Sequence, residues 1–157
     1  HPDVLLSSVK DCASRIIGRA FYFVFSSIMM APLTNEILQQ LAREFGTPLY
    51  VYHAEKISDQ YQQLRNAFQQ GPVRLFYAAK ALTNQHVLRH IRDLGCDVDC
   101  SSINEVHLAL RAGFSPDRIL YTSNSIDFSE LEAAQQAGVH LNIDSLSNLE
   151  KIGRAHV

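Results

Sequence analysis

Lys80 closes the run Val73-Arg74-Leu75-Phe76-Tyr77-Ala78-Ala79-Lys80, whose apolar character predicts a buried strand over residues 73–79. A lysine at the carboxyl end of such a strand has difficulty reaching solvent, and burial disfavours its ammonium form. A neutral amine in a pocket is what Schiff-base chemistry with a carbonyl compound requires. The plain alternative is a solvated lysine that merely ends a strand, the usual fate of lysines at such positions. A second ionisable group, Asp99, ends another short strand, Asp97-Val98-Asp99-Cys100. It precedes the residue that would cap the following helix, so capping does not explain it.

Other reactive residues fit ordinary roles. His86 and His90 lie four apart on a predicted helix, a spacing that can present two metal ligands. No Glu, Asp or Cys set completes the pair, so no metal site is assigned. The three cysteines, Cys12, Cys96 and Cys100, lack CxxC spacing. A small odd number argues against both a disulfide framework and a zinc site, and it fits the cytosol. Cys100 reads as a buried strand thiol.

The elements that must hold Lys80 and Asp99 are legible as a repeat. Thr34 or Asn35 caps a predicted helix through Leu38, Leu41 and Phe45, stopped by Gly46. Thr47-Pro48 breaks into an opening strand over residues 49–52. A polar helix follows, with Ile57, Tyr61, Leu64 and Phe68 at helical spacing, and Gly71-Pro72 ends it. Then strands over 73–79, 97–100, 119–121 and 139–144 alternate with helices over 87–94, 105–112, 128–137 and 146–151. Gly95, Gly113 and Gly138 stop the first three of these helices.

Units of roughly 20 to 25 residues, each strand then helix, mean βαβ crossovers and a parallel sheet. With no GxGxxG after the first strand, four units in series favour an α/β fold of the (β/α)8 TIM-barrel type over a dinucleotide-binding sheet. The chain would supply about half of the eight units a barrel needs. In a barrel the chemistry sits at the strand carboxyl ends. Those positions here are Lys80, Asp99 with Ser101 and Ser102, Ser123 with Asn124, and Asp144 with Ser145. Capping accounts for Ser102, Ser125 and Ser145, but not for Lys80.

Length and composition set further bounds. The chain has 157 residues, 46% hydrophobic and 19% charged, with a net charge of −2. That is one ordinary globular domain. It carries no electrostatic footprint for nucleic acid and no basic arm for an anionic membrane. Residues 20–29 are apolar and aromatic but shorter than the ~20 residues of a membrane span. With Lys10, Arg15 and Arg19 upstream they could be a secretory segment, yet no small-x-small cleavage site follows. Residues 1–29 are expected to be a non-native leader ahead of a start at Met29 or Met30. Residues 30–151 are expected to form the domain. The hexapeptide at 152–157 resembles the translation of a common sequencing adapter and is expected to be an artefact.

Phe76-Tyr77-Ala78-Ala79-Lys80-Ala81 resembles the cofactor-lysine motif of the pyridoxal-phosphate barrel decarboxylases, the ornithine, lysine, arginine and diaminopimelate group. The resemblance continues through Gly95-Cys96-Asp97-Val98-Asp99-Cys100-Ser101-Ser102-Ile103-Asn104-Glu105, Ala112-Gly113-Phe114-Ser115-Pro116-Asp117-Arg118-Ile119 and Asn142-Ile143-Asp144-Ser145. It covers residues 34–151. The opening Gly46-Thr47-Pro48-Leu49-Tyr50-Val51-Tyr52 is most similar to the diaminopimelate branch. Leu82 stands where the common pattern has Asn, and Ile103-Asn104 where it has Gly-Gly.

The resemblance implies an alanine racemase-like barrel and pyridoxal 5'-phosphate as cofactor. Lys80 would hold the cofactor as a Schiff base, with Asp99 beside it, and Glu105 would be a supporting or helix-start residue. The implied reaction is decarboxylation of meso-2,6-diaminopimelate to L-lysine, in lysine biosynthesis. An ornithine-, arginine- or carboxynorspermidine-type decarboxylase, or a cofactor carrier without decarboxylation, is the alternative. The phosphate loop and the residues gripping the substrate lie beyond Lys151 in this family, and the full-length enzyme is a homodimer with shared active sites. The chain by itself is therefore expected to be an inactive fragment.

Overall fold

The computed structural model describes residues 33–68, 71–122 and 127–154, with side chains through Glu150. The expected leader, Ser123, Asn124, Ser125 and the final three residues lie outside the described residues. The chain divides into two compact units, residues 1–60 and 61–157.

In the first unit, helix α1 spans Asn35–Phe45. Thr34 Oγ1 accepts from the Ile37 N–H at 3.4 Å, the expected cap. Gly46 stops the helix at φ 80°, donating its N–H to Ala42 O. No residue of α1 is buried. The opening strand expected over 49–52 is not formed. Those residues carry no strand assignment, because a strand exists only through a ladder with a neighbour, and none forms there among the described residues. Helix α2, Ala54–Ala67, begins here. The His53 ring Nδ1 accepts from the Lys56 N–H at 3.1 Å and so caps it.

The second unit holds a four-stranded parallel sheet in the order β1-β2-β3-β4. Its strands are β1 Phe76–Ala78, β2 Asp97–Cys100, β3 Ile119–Thr122 and β4 His140–Asn142. Between them run α3 Gln85–Asp93, α4 Ile103–Arg111 and α5 Phe128–Gln136, and α6 Leu146–Arg154 follows β4. Neighbouring parallel strands joined by right-handed crossovers keep all their helices on one face. That is the strand-and-helix repeat expected from sequence.

Helix starts follow their caps. The Asn84 side chain accepts from the N–H groups of His86 and Val87, at 2.9 and 3.4 Å. Ser102 Oγ accepts from the Glu105 N–H at 3.3 Å, and Ser145 Oγ accepts from the Asn148 N–H at 3.2 Å. Gly95, Gly113 and Gly138 all adopt positive φ after their helices. At Gly113 the requirement is also steric, because a Cβ would run into the Arg92 guanidinium, which donates to Ala112 O.

Packing concentrates between sheet and helices. Val98, Cys100 and Ile119 are 0% exposed and Tyr121 is 1% exposed. Val87, Leu88 and Ile91 of α3, Val106 and Ala109 of α4, and Leu131 and Ala134 of α5 are buried too. A fully buried aliphatic or aromatic side chain contributes roughly 1.5–3 kcal/mol, against about 0–1 kcal/mol for an exposed ion pair. This layer therefore dominates the stability of the unit.

The outer strands are shorter than their apolar runs. The strand expected over 73–79 is only Phe76–Ala78, and the one expected over 139–144 is only His140–Asn142. Each has a ladder partner on one side only, so fewer residues are held in register. Val73 is half exposed. The stripe expected on α2 is also not a core face, since Leu64 is 51% exposed and Phe68, just past its end, 50% exposed.

Candidate functional site

Strand alternation sorts the polar residues. Side chains two apart share a face, and register partners in a parallel ladder point the same way. Val98, Cys100, Ile119 and Tyr121 face the helices, so Asp97 and Asp99 face the other side. Ala78, Leu120 and Thr122 share that side, through the pairs Ala78 with Asp99 and Asp99 with Leu120. The two aspartates of β2 are then drawn to opposite ends of the sheet.

At the amino end, Asp97 is 6% exposed and lies between two arginines. Arg74 Nε donates to Oδ2 at 2.7 Å, and Arg118 Nε donates to Oδ1 at 2.9 Å. Arg74 also donates to Asp117 O at 2.9 Å, and Arg118 to Cys96 O at 2.7 Å and Arg92 O at 3.2 Å. The guanidiniums lie over the Phe76 and Phe114 rings, 5.2 and 5.5 Å from their centroids. Arg74 lies two residues before β1 and Arg118 immediately before β3, so one carboxylate ties the starts of three strands together. The sequence reading passed over this cluster. Its signal was Asp97 two residues before Asp99, with an arginine ahead of each flanking strand.

At the carboxyl end the arrangement is open. Lys80 is not in the strand. The ladder stops at Ala78, and Ala79–Ala81 form a single 3-10 turn that buries Ala79 and leaves Lys80 exposed. The burial expected for Lys80 is therefore corrected. The apolar run reads on through Ala79, but the chain has already left the sheet there. Tyr77 Oη donates to Leu82 O at 3.2 Å across this turn. Lys80 makes no ion pair among the described residues.

Asp99 is partly buried on the adjoining strand and accepts a hydrogen bond from the Thr122 hydroxyl. The loop after it is tightly held. The Glu105 carboxylate accepts from the Ser101 N–H at 2.7 Å and the Ser101 hydroxyl at 3.1 Å. With Ser102 as the cap this is a variant of the capping box, so Glu105 stands at the helix start. Thr122 was missed by the sequence reading, which ended the third strand at Tyr121. Strand parity from Leu120 was the available signal. Asp144 is exposed beyond β4, and Ser145 is occupied as a cap.

The buried thiols on this sheet are poor nucleophiles. Burial pushes Cys96 up to about 11, with Asp97 adding to the effect. Burial pushes Cys100 up to about 12, helped by Glu105 and Asp99. Both are free thiols, and thiolate is the reactive form. Among the described residues no three His, Cys, Asp or Glu side chains group as metal ligands. Lys80 is an accessible primary amine in the turn after β1, whose last residue pairs with Asp99 of β2. An exposed amine can be reached by a carbonyl compound, as Schiff-base formation requires.

Residues 54–157 match the family described as pyridoxal-dependent decarboxylase, pyridoxal binding domain, and the chain belongs to that family. The domain that the match defines is the pyridoxal-binding one. The diaminopimelate decarboxylase of Methanothermobacter thermautotrophicus is 44% identical over 115 residues, 72% of this chain and 27% of that protein. The Escherichia coli diaminopimelate decarboxylase is 37% identical over 126 residues, 78% of this chain and 29% of that protein. Among solved structures, diaminopimelate decarboxylase from Helicobacter pylori complexed with L-lysine superposes with a TM-score of 0.69 at 30% identity, covering 75% of this chain and 31% of that one. Lysine/ornithine decarboxylase complexed with putrescine from Vibrio vulnificus gives 0.69 at 28% identity, covering 74% and 32%. The fold is accordingly part of the TIM-type barrel of these decarboxylases, as the repeat predicts. The chain spans between 22% and 29% of the length of the curated relatives it matches.

Proposed function

We propose that Lys80 is the amine that holds pyridoxal 5'-phosphate covalently, with Asp99 as the carboxylate beside it. The complete protein then decarboxylates meso-2,6-diaminopimelate to L-lysine. The observation that carries the site is the position of Lys80, exposed in the turn directly after β1, with Asp99 opposite the last residue of that strand. When bound, pyridoxal phosphate supplies an electron sink for the pair left behind by carbon dioxide.

The protein's own residues do the rest. Lys80 Nζ would hold the cofactor and, when not bound to it, would carry a proton. Asp99 would supply a carboxylate at the end of the adjoining strand. Glu105 and Ser102 keep the loop after Asp99 fixed to the start of α4. Support for the substrate comes from relatives named diaminopimelate decarboxylase at 37–44% identity.

Residues 30–151 are proposed as the native part of the barrel domain. The 157-residue chain alone is expected not to turn over substrate. The complete protein is expected to be a cytoplasmic homodimer acting on a small amino acid, without nucleic-acid or membrane partners. No helix among the described residues is long and apolar enough to cross a membrane. A second reading, decarboxylation of ornithine or a related diamine precursor, is favoured by the similarity to the Vibrio vulnificus lysine/ornithine decarboxylase.

Carbon dioxide release by the complete gene product separates the two, measured with diaminopimelate, ornithine, arginine and carboxynorspermidine in parallel. The expected result is the highest kcat/KM for diaminopimelate. A higher value for any of the others overturns the substrate assignment. A yellow protein inactive on all four favours a cofactor carrier.

A further inference from the structure

We propose that Thr122 is a positioning residue that aims Asp99 at the cofactor amine; this rests on the reading of Lys80 and Asp99 given above. Two aspartates share one face of one strand. Asp97 and Asp99 are two residues apart in β2, so their side chains emerge from the same side. The Arg74 and Arg118 guanidiniums bind Asp97 from the amino end of the sheet. A side chain at position 99 can also turn toward that end. A carboxylate turned that way faces away from the turn that carries Lys80.

Thr122 holds Asp99 the other way. The register partner of Asp99 on β3 is Leu120. Thr122 is two residues further toward the carboxyl edge and on the same face. Its hydroxyl donates to Asp99 Oδ1. A donor offset in that direction draws the Asp99 carboxylate toward the edge from which Ala79–Ala81 project. A hydrogen bond to an ionised acceptor is among the stronger ones in proteins. Serine can supply the same donor. Valine keeps the β-branched shape that suits a strand but has no donor.

The test compares Thr122→Val, Thr122→Ser and wild type in the 157-residue chain and in the complete gene product. The readouts are the affinity for added pyridoxal phosphate and the absorption maximum of the bound cofactor. Urea midpoints for Thr122→Val, Asp99→Asn and the double variant report the pair without any cofactor. The expected result is weaker cofactor binding in Thr122→Val by about tenfold or more, the loss of one hydrogen bond to a charged group. The absorption maximum shifts, and Thr122→Ser restores both. The urea midpoint shifts of the two single variants are expected to be non-additive.

Additive midpoint shifts overturn the contact. Non-additive midpoints with unchanged cofactor affinity and spectrum overturn the positioning role and leave a structural bond only. If wild type forms no adduct at Lys80, the underlying site is wrong. That failure is distinct from one in which wild type and Thr122→Val bind the cofactor alike.

Discussion

Asp97→Asn is the sharpest probe of how the sheet is held. The substitution keeps the size of a side chain that is 6% exposed. It removes the charge that two guanidiniums share, at 2.7 and 2.9 Å. The new amide can accept from one arginine, but its NH2 then confronts the other, donor against donor. Removing one partner of a buried pair costs about 3–5 kcal/mol when the survivor is stranded. Here the survivors are not fully stranded. The Arg74 side chain is 53% exposed, and both arginines keep backbone carbonyl acceptors. The expected loss is therefore lower, about 2–3 kcal/mol. With a urea dependence of ~1.5 kcal/mol/M for a unit of this size, the midpoint should fall by ~1.3–2 M. Arg118→Met should cost more than Arg74→Met, because the Arg118 side chain is 28% exposed and has two further acceptors. Far-UV circular dichroism during urea titration measures all three. A midpoint change below ~0.3 M for Asp97→Asn, or a larger loss at Arg74 than at Arg118, would refute the reasoning.

Other substitutions and conditions test neighbouring parts. Gly113→Ala must hold φ near 91° and displace the Arg92 guanidinium from Ala112 O; a loss of ~2–3 kcal/mol is expected by urea titration. Glu105→Ala removes the one oxygen that accepts both Ser101 hydrogen bonds and should cost about 1 kcal/mol, with faster amide exchange at Ser101 as its local sign. Cys96 and Cys100 are raised from 9.0 to about 11 and about 12 by burial. Above pH 9 the unfolded chain therefore releases these protons first, so stability is intact below that pH and falls as pH rises toward the folded values. Urea midpoints at rising pH should show that decline, and Cys100→Ala should flatten it.

Much of the second unit was legible because its signals are local. Asn84, Ser102 and Ser145 announce helix starts, and Gly95, Gly113 and Gly138 announce stops. The central strands, expected over 97–100 and 119–121, were found at those places with Thr122 added, because both are buried on the helix side and paired on both edges. The outer strands were over-read, since Val73 and Val139 are as apolar as their ladder neighbours yet lie outside the ladder. Pairing, unlike hydropathy, depends on a neighbour. The same cause removed the strand at 49–52. Lys80 was singled out by type and position, but its exposure turned on the 3-10 geometry of Ala79–Ala81, which hydropathy does not encode. Thr122 and the Arg74–Asp97–Arg118 cluster needed cross-strand register, which no single segment contains.

The most direct test of the Lys80 assignment uses the four lysines of the chain, Lys10, Lys56, Lys80 and Lys151, as one another's controls. The protein is incubated with pyridoxal phosphate, reduced with borohydride, digested and mapped by mass spectrometry. Labelling should fall on the Lys80 peptide and persist at low cofactor concentration, and the yellow colour should vanish in Lys80→Ala. Equal labelling of all four lysines, or colour retained in Lys80→Ala, would contradict it.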